Sequence, residues 1–196
     1  DALKDFAPVA RVASGPYALV VNSQFPVNSV LELMSAAKAQ PGKIDYASSG
    51  NGSAQHLVTA LFASLAGIDL NHVPYKGSGP AITDLMGGQI QVFFITAPTA
   101  VANEKSDKIR LLMLTTPERN AALPNLPVPK EAGVAGFEVF STYGLLAPAG
   151  TPPEILAKLN AEVVKILKQP DVKAKFLTLG VDASPSTPEQ ASQRIV

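Results

Sequence analysis

The chain has no cysteine, no tryptophan, no net charge and no long hydrophobic run. Without cysteine, disulfides, thiol catalysis and thiolate metal sites are excluded. Acidic and basic residues number 16 each, which argues against nucleic acid as the main partner because phosphate backbones demand a basic surface. Without tryptophan, and with 6% aromatic residues, a site that stacks sugars is disfavoured.

The apolar runs are too short to span a membrane, so we expect a protein that is not membrane-inserted. The runs at 92–95 and 109–114 predict buried strands instead. With 46% hydrophobic residues, the 196-residue chain is predicted to bury a substantial core as one domain or two small lobes. It begins Asp1-Ala2-Leu3-Lys4, with neither initiator Met nor leader, so we expect that this is not a natural beginning.

Strand-like and helix-like patterns alternate through the first 116 residues. Strands are predicted at 7–13, 17–22, 44–46, 70–74, 90–95 and 109–115. Helices are predicted from the cap Asn28 to about residue 39, at 54–66 with Gly67 as the C-cap, and at 80–86. This alternation favours a parallel sheet with covering helices. A proline-rich connection follows, then a strand at 137–146 and helices capped at Thr151 and Thr187. The helix after Thr151 is predicted to bury Ile155, Leu156, Leu159, Val163 and Ile166.

A loop of small polar residues, Ser48-Ser49-Gly50-Asn51-Gly52-Ser53, lies between a predicted strand and an apolar helix. The first amides of a helix lack internal partners, and the helix dipole favours negative charge there. Loops 75–79 and 96–99 follow strands in the same way, and Lys76 is the only cation among the three loops. Because ligands of open α/β sheets bind outside the carboxyl ends of the strands, we expect a small anion here.

Sequence motifs for nucleotide binding are absent. No Gly-Lys-Ser/Thr follows the first glycines, so the phosphate-binding loop of nucleotide hydrolases is excluded. Gly50-Asn51-Gly52 begins a dinucleotide-binding fingerprint, but Gln55 stands where its third glycine belongs.

Catalytic and metal sites are also disfavoured by the sequence. There is no Gly-x-Ser-x-Gly elbow, and packing or capping roles are favoured for the two histidines, His56 and His72. With Asp45 and Asp69 nearby only by chance, they form no metal-ligand set.

Other polar side chains also have ordinary structural interpretations. Asp84 and Glu104 are interpreted as solvated helix residues rather than a carboxylate pair. Tyr75 and Tyr143 could rim a cleft, although a buried tyrosine with a bonded hydroxyl is more common.

Four segments carry a resemblance to a known family: Asp5–Ala10 (DFAPVA), Tyr46–Ser53 (YASSGNGS), His72–Ala81 (HVPYKGSGPA) and Gly144–Pro152 (GLLAPAGTP). In order and spacing, the whole chain resembles the substrate-binding receptors of tripartite tricarboxylate transporters, the Bug or TctC-like periplasmic proteins. The resemblance implies an α/β, periplasmic-binding-protein-like fold with two lobes of mostly parallel sheet joined by hinge strands. We expect the central lobe at 15–106 and the second lobe at 1–14 and 107–196, with hinges near 12–18 and 106–116.

The resemblance also implies a function. The chain would be a periplasmic receptor that captures a small carboxylate and passes it to membrane transporter subunits, with no reaction and no cofactor. The implied ligand-binding residues are Ser48, Ser49, Gly50, Asn51, Gly52, Ser53, Tyr75, Lys76, Gly77, Ser78, Thr96 and Ala97, with Thr142 and Tyr143 at the cleft rim.

The chain departs from the family pattern at two places. Many members carry an aspartate in the third loop, where this chain has Ile95-Thr96-Ala97, and this favours mono- or dicarboxylates over amino acids. The family's first strand and loop have no counterpart here, and the last helix stops early. We therefore expect a fragment whose second lobe lacks its first strands and which binds ligand weakly or not at all. We expect it either to be a proteolysed or partly ordered receptor or to associate through the strands at 109–115 and 137–146.

Two rival functions stay open on the sequence alone. One is a hydrolase on the same α/β frame that uses Ser49 or Ser53 as the nucleophile. The other is a sensing module that presents the bound ligand to a signalling partner rather than to a transporter.

Overall fold

The computed structural model describes residues 4–193, which divide into two compact units. We call residues 16–140 the core unit, and the described residues up to Gly15 and from Ser141 onward the terminal unit. The chain passes between the units at 15/16 and 140/141. Residues 107–140, which the sequence analysis assigns to the second lobe, thus belong to the core unit.

The core unit holds a five-strand run of sheet with helices between the strands. Its elements are β1 (Phe6–Asn22, whose second half lies here), α1 (Val30–Ala39), β2 (Asp45–Ser48), α2 (Ala54–Ala66), β3 (Asn71–Pro74), α3 (Ser78–Met86), β4 (Val92–Thr96), α4 (Ala97–Ala102) and β5 (Ile109–Leu114). The strand order is β3-β2-β4-β1-β5. The predicted parallel arrangement holds for β2 with β3 and β4, whereas β1 runs antiparallel to both β4 and β5.

Strand β1 is one continuous strand of 17 residues, where the sequence predicts two strands broken around Ser14-Gly15-Pro16. The break is bridged because the strand has partners on both sides of it. Ala13 and Ser14 pair with a strand of the terminal unit, and the amide of Tyr17 donates to Thr115 Oγ1 over 2.8 Å.

Serine side chains determine where α1 and α2 begin, and a glycine determines where α2 ends. The side chain of Ser29, not the predicted Asn28, caps α1 by accepting from the Glu32 amide. Asn28 instead donates its backbone amide to the Glu32 carboxylate at 2.7 Å. Helix α2 begins after Ser53 and ends at Gly67, which adopts the left-handed conformation of a C-cap, as predicted.

Apolar side chains cover both faces of the sheet in the core unit. Successive residues of a strand point to opposite faces, so Phe93 and Phe94 enter different clusters. Phe94 packs with Phe62 and Phe137, and all three rings are fully buried with centroids 5.6–5.8 Å apart. Phe137, predicted to open a strand of the second lobe, is thus an anchor of the core unit.

The terminal unit contains the first half of β1, β6 (Phe140–Pro148), α5 (Pro153–Leu167), α6 (Pro170–Thr178), β7 (Asp182–Ala183) and α7 (Pro188–Ser192). Strands β6 and β7 both pair with β1. The predicted capping box of Thr187 and Gln190 is present in α7. The predicted cap of α5 is wrong, because the Thr151 hydroxyl donates to the Pro148 carbonyl and leaves the helix start uncapped.

Helix α5 is less buried than its apolar spacing predicts. Leu156 and Val163 pack against a small cluster around Val9. Ile155, Leu159 and Ile166, however, are 41–48% exposed, so the prediction that they are buried is wrong. The described part of the chain supplies nothing to cover them.

No helix within residues 4–193 combines the length and apolar character that crossing a membrane requires.

Candidate functional site

The three segments singled out by the sequence lie at the ends of β2, β3 and β4, which are neighbours in the core unit. Loops follow β2 and β3, whereas α4 begins directly after β4. Ser48, the last residue of β2, is in register with Pro74, the last residue of β3. Beyond these ends the loops stay joined, because the amides of Tyr75 and Gly77 donate to the carbonyls of Ser48 and Ser49 at 3.0 and 3.2 Å. The parallel register therefore brings the first two predicted loops together.

Ser48 is fully buried, and its hydroxyl holds the first loop in shape. Its Oγ lies 3.0 Å from the Gly50 carbonyl oxygen and 3.2 Å from the Gly50 amide nitrogen. It also lies 2.7 Å from Nε2 of His72. Gly50 has a φ of +140°, a conformation that side-chain-bearing residues rarely adopt. Ser48 thus supports the loop from within the protein.

The two histidines stack beneath this loop. Their ring centroids are 3.9 Å apart, and His72 also stacks on Tyr46 at 4.9 Å. His56 Nδ1 accepts a hydrogen bond from the Gly52 amide at 3.1 Å. Burial lowers the pKa of His72 below its ordinary value, and the neighbouring His56 lowers it further. Both rings pack against and hold the loop, the kind of role that the sequence favours for them.

Helix α2 directs free amides into the same loop. Ser53 caps it by accepting from the His56 amide at 3.4 Å. Its first two amides, of Ala54 and Gln55, donate to no described residue. Unpaired donors at the start of a 13-residue helix provide an anion-binding surface.

The side chain of Gln55 bridges the first two loops. Its Oε1 accepts from the Ser49 hydroxyl at 2.8 Å, and its Nε2 donates to Ser78 Oγ at 3.3 Å. Sequence reasoning treats Gln55 only as the residue that breaks a dinucleotide fingerprint and misses this role. A long amide side chain in the first turn of a helix that follows a serine-rich loop was the available signal.

The second loop adds donors from α3. Gly77 precedes this helix without a side-chain cap, and the amides of Ser78 and Gly79 donate to no described residue. Lys76 is exposed and forms no hydrogen bond or ion pair with residues 4–193, so it supplies an uncompensated positive charge.

The hydroxyl of Tyr75 points towards α3, the helix that follows its loop, rather than being free. The hydroxyl donates to Asp84 Oδ2 at 2.8 Å. Burial, followed by this bond and the negative charge of Asp84, raises the pKa of Tyr75 to about 12. Asp84, interpreted from the sequence as a solvated residue, is therefore the partner that fixes the Tyr75 ring.

Residues 96–99 and the predicted rim residues take less part in the hydrogen bonds described above. Residues 96–99, predicted as a loop, instead form the end of β4 and the first turn of α4. Thr96 Oγ1 lies 3.1 Å from Thr99 Oγ1 there, and Ala97 is buried. Thr142 and Tyr143 lie on β6 at the border of the terminal unit, exposed and half-buried respectively. Their placement at a cleft rim stays a prediction.

The first two loops therefore present backbone amides, hydroxyls and one lysine, without an acidic side chain among residues 48–53 and 75–79. In the part of the chain that is described, every buried side-chain nitrogen or oxygen has a hydrogen-bond partner. Across that same part, no group of three or more histidine or acidic side chains is placed to hold a metal ion. This donor set is suited to a small carboxylate.

Comparison with known proteins matches the whole of residues 1–196 to the family described as tripartite tricarboxylate transporter family receptor. A relative from Pseudomonas sp. strain P51, the UPF0065 protein in the tcbD-tcbE intergenic region, is 37% identical over 187 residues, covering 95% of this chain. The structure of R. palustris Rpa4515 with adipate is 35% identical, with a TM-score of 0.95 over all of this chain. That of MatC from Rhodopseudomonas palustris with bound malate is 33% identical, with a TM-score of 0.87 over 98% of this chain.

The chain spans only part of these proteins. It covers 56% of the Pseudomonas relative, 65% of the Rpa4515 chain and 67% of the MatC chain. The structure of periplasmic binding protein BugD is 30% identical, with a TM-score of 0.89 over 97% of this chain, which confirms the fold class that the sequence predicts.

Proposed function

The chain belongs to the receptor family of tripartite tricarboxylate transporters, and on this premise we propose that it captures a small carboxylate and delivers it to a membrane transporter. In this proposal it acts in the periplasm and performs no reaction. The family supports the receptor role, while the loops of the core unit supply the chemistry.

The observation that carries the proposal is the set of unpaired amides at two neighbouring helix starts. Ala54 and Gln55 open α2, and Ser78 and Gly79 open α3, across loops that are joined by backbone hydrogen bonds. A carboxylate oxygen placed between them would accept from several amides at once. Each hydrogen bond to a charged group contributes about 1.5–3 kcal/mol.

The loops favour a plain acid over an amino acid. Residues 48–53, 75–78 and 96–97 contain no carboxylate that would pair with the ammonium of an amino acid. The related structures that contain adipate and malate, both dicarboxylates, support dicarboxylates within this ligand class. Adipate is therefore a suitable first probe.

A thermal-shift and calorimetry screen of the full-length gene product tests the ligand class. We expect adipate or malate to raise Tm, with about 2.7 kcal/mol of stabilisation at a hundredfold excess over Kd. Aspartate and glucose are expected to give smaller shifts. If glucose gives the largest shift, the carboxylate proposal is wrong.

The variant Ala54→Pro tests the role of the amides directly. Proline at the first helical position keeps the helix but removes the amide hydrogen, and Ser53 already has the extended conformation that proline requires before it. We expect adipate affinity to fall about tenfold to a hundredfold, corresponding to one lost bond to a charged group. Ala54→Ser, which retains the amide, gives the reference for substitution at this position, and equal affinities would contradict the proposal.

Delivery to a transporter is tested by uptake. Cells that produce the transporter subunits should accumulate labelled adipate only when the receptor is present. Capture of the loaded receptor by the extracytoplasmic domain of a signalling protein, without uptake, would support the sensing alternative.

A further inference from the structure

The amide of Gln55 offers one acceptor and one donor to two serine hydroxyls, and this asymmetry distinguishes the two serines. The Ser49 hydroxyl donates its only proton to Oε1 at 2.8 Å. The Ser78 oxygen accepts from Nε2 at 3.3 Å and keeps its own proton. The two loops therefore present differently polarised hydroxyls, although both residues are serine.

The longer of the two distances supports this orientation of the amide. A separation of 2.8 Å is typical of an O–H···O bond, whereas 3.3 Å is too long for one and lies closer to the range of an N–H···O bond. The reversed amide would place the short distance on nitrogen and the long distance between two oxygens. The 3.3 Å distance therefore favours the observed arrangement, while 2.8 Å fits either orientation.

We propose that Gln55 is a positioning residue that makes Ser78, rather than Ser49, the side-chain donor to the bound carboxylate. The inference rests on the proposed function. The Ser78 hydroxyl donates to no described residue, and the residue is half-buried at the start of α3 beside the unpaired amides of Ser78 and Gly79. The Ser49 hydrogen is occupied by Gln55, so Ser49 presents lone pairs that an anion does not seek.

Calorimetry with adipate on the full-length gene product separates the two serines. We expect Ser78→Ala to lower affinity about tenfold or more, and Ser49→Ala to lower it less than threefold. Ser64→Ala, a hydroxyl removed near the other end of α2, is the matched control. An effect of Ser49→Ala equal to or larger than that of Ser78→Ala overturns the inference, even when the wild-type protein binds adipate well.

Variants of Gln55 are expected to change how ligand affinity depends on pH, which a merely structural role of Gln55 would leave unchanged. In Gln55→Glu, an ionised carboxylate accepts protons from both serines and repels the ligand, so binding should be lost at pH 7.5. Protonated glutamate again offers one donor and one acceptor, so affinity should recover relative to wild type as the pH falls towards 5. Gln55→Met, of similar size but without polar ends, should be weak with no such recovery.

The outcomes separate this inference from the proposed function. Thermal melts without ligand confirm that each variant is folded. If Gln55→Glu and Gln55→Met show the same pH profile, the positioning role is wrong and the carboxylate receptor stands. If the wild-type protein binds neither adipate nor malate, nor any other carboxylate in the screen, the proposed function fails and the inference fails with it.

Discussion

Ser48 Oγ lies 2.7 Å from Nε2 of His72, a serine–histidine contact between neighbouring parallel strands. A catalytic serine and its histidine base require a distance of this kind between the two side chains. Ser48 is fully buried, however, and its oxygen also contacts both the amide and the carbonyl of Gly50. Within residues 4–193, His72 has no carboxylate partner that would orient it as in a triad.

We therefore predict that the protein does not hydrolyse activated esters. Mixing with p-nitrophenyl acetate should release no burst of nitrophenol in proportion to protein, because a reactive carbonyl cannot reach the buried hydroxyl. Ser48→Ala should leave the background rate unchanged. A stoichiometric burst that is abolished by Ser48→Ala, or by Ser49→Ala or Ser53→Ala, would instead support a hydrolase.

The lowered pKa of His72 predicts that stability falls as the solution is acidified. Below pH 6.5 the unfolded chain binds a proton at His72 more readily than the folded protein, so the unfolding free energy decreases as pH falls from about 6.5 through the folded pKa. Urea unfolding at pH 7.5 and pH 5.5 measures this loss. The loss should be smaller in His72→Gln, which does not titrate, and an equal loss would show that other groups cause it.

Removing the Tyr75 hydroxyl is predicted to destabilise the protein. Tyr75→Phe leaves Asp84 without its donor and should lower the unfolding free energy by about 1 kcal/mol at pH 8. Tyr143→Phe is the matched control, because the Tyr143 hydroxyl has no hydrogen-bond partner among residues 4–193. Chemical denaturation of both variants decides the matter, and equal losses would contradict the prediction.

Substitution of Gly50 is predicted to be more harmful than substitution of Gly52. Both have positive φ, but +75° at Gly52 is close to the left-handed helical region, whereas +140° at Gly50 is not. Gly50→Ala should cost about 1–3 kcal/mol of stability in backbone strain. Gly52→Ala, where an added methyl group meets no atom within 4 Å, should cost less in the same urea titration.

The cluster of three phenylalanine rings predicts that residues near the end of the core unit differ in their contribution to stability. Phe137→Ala should cost about 3–5 kcal/mol, since it removes a fully buried ring that packs against Phe62 and Phe94. Phe140→Ala, at a ring that is 53% exposed, should change stability by less than about 0.5 kcal/mol. Similar losses for the two variants would contradict the assignment of Phe137 to the core unit.

Local signals in the sequence are enough to place helices and loops. The small polar loop, the cap at Ser53 and the stop at Gly67 are each set by residues within one turn, and α2 forms where they predict. Strand direction cannot be predicted in this way, because parallel and antiparallel strands show the same alternation of side chains. The antiparallel insertion of β1 between β4 and β5 therefore does not show in the pattern.

Contacts that depend on register are also hidden in the sequence. Ser48 meets His72 only because β2 and β3 pair with Tyr46 beside His72. The bridge made by Gln55 requires in addition a particular side-chain conformation. The sequence thus predicts that the loops offer donors to an anion. It does not predict that Ser78, rather than Ser49, has a hydroxyl proton available for the ligand.

The two backbone hydrogen bonds that join the first two loops limit how these loops can be exchanged between related receptors. The Tyr75 and Gly77 amides continue the pairing of β2 with β3 past the ends of both strands. A loop transplanted alone from another receptor would meet a foreign backbone and leave amides or carbonyls without partners. Redesign of ligand preference should therefore move residues 48–53 and 75–78 as one cassette, with Gln55 included to join them.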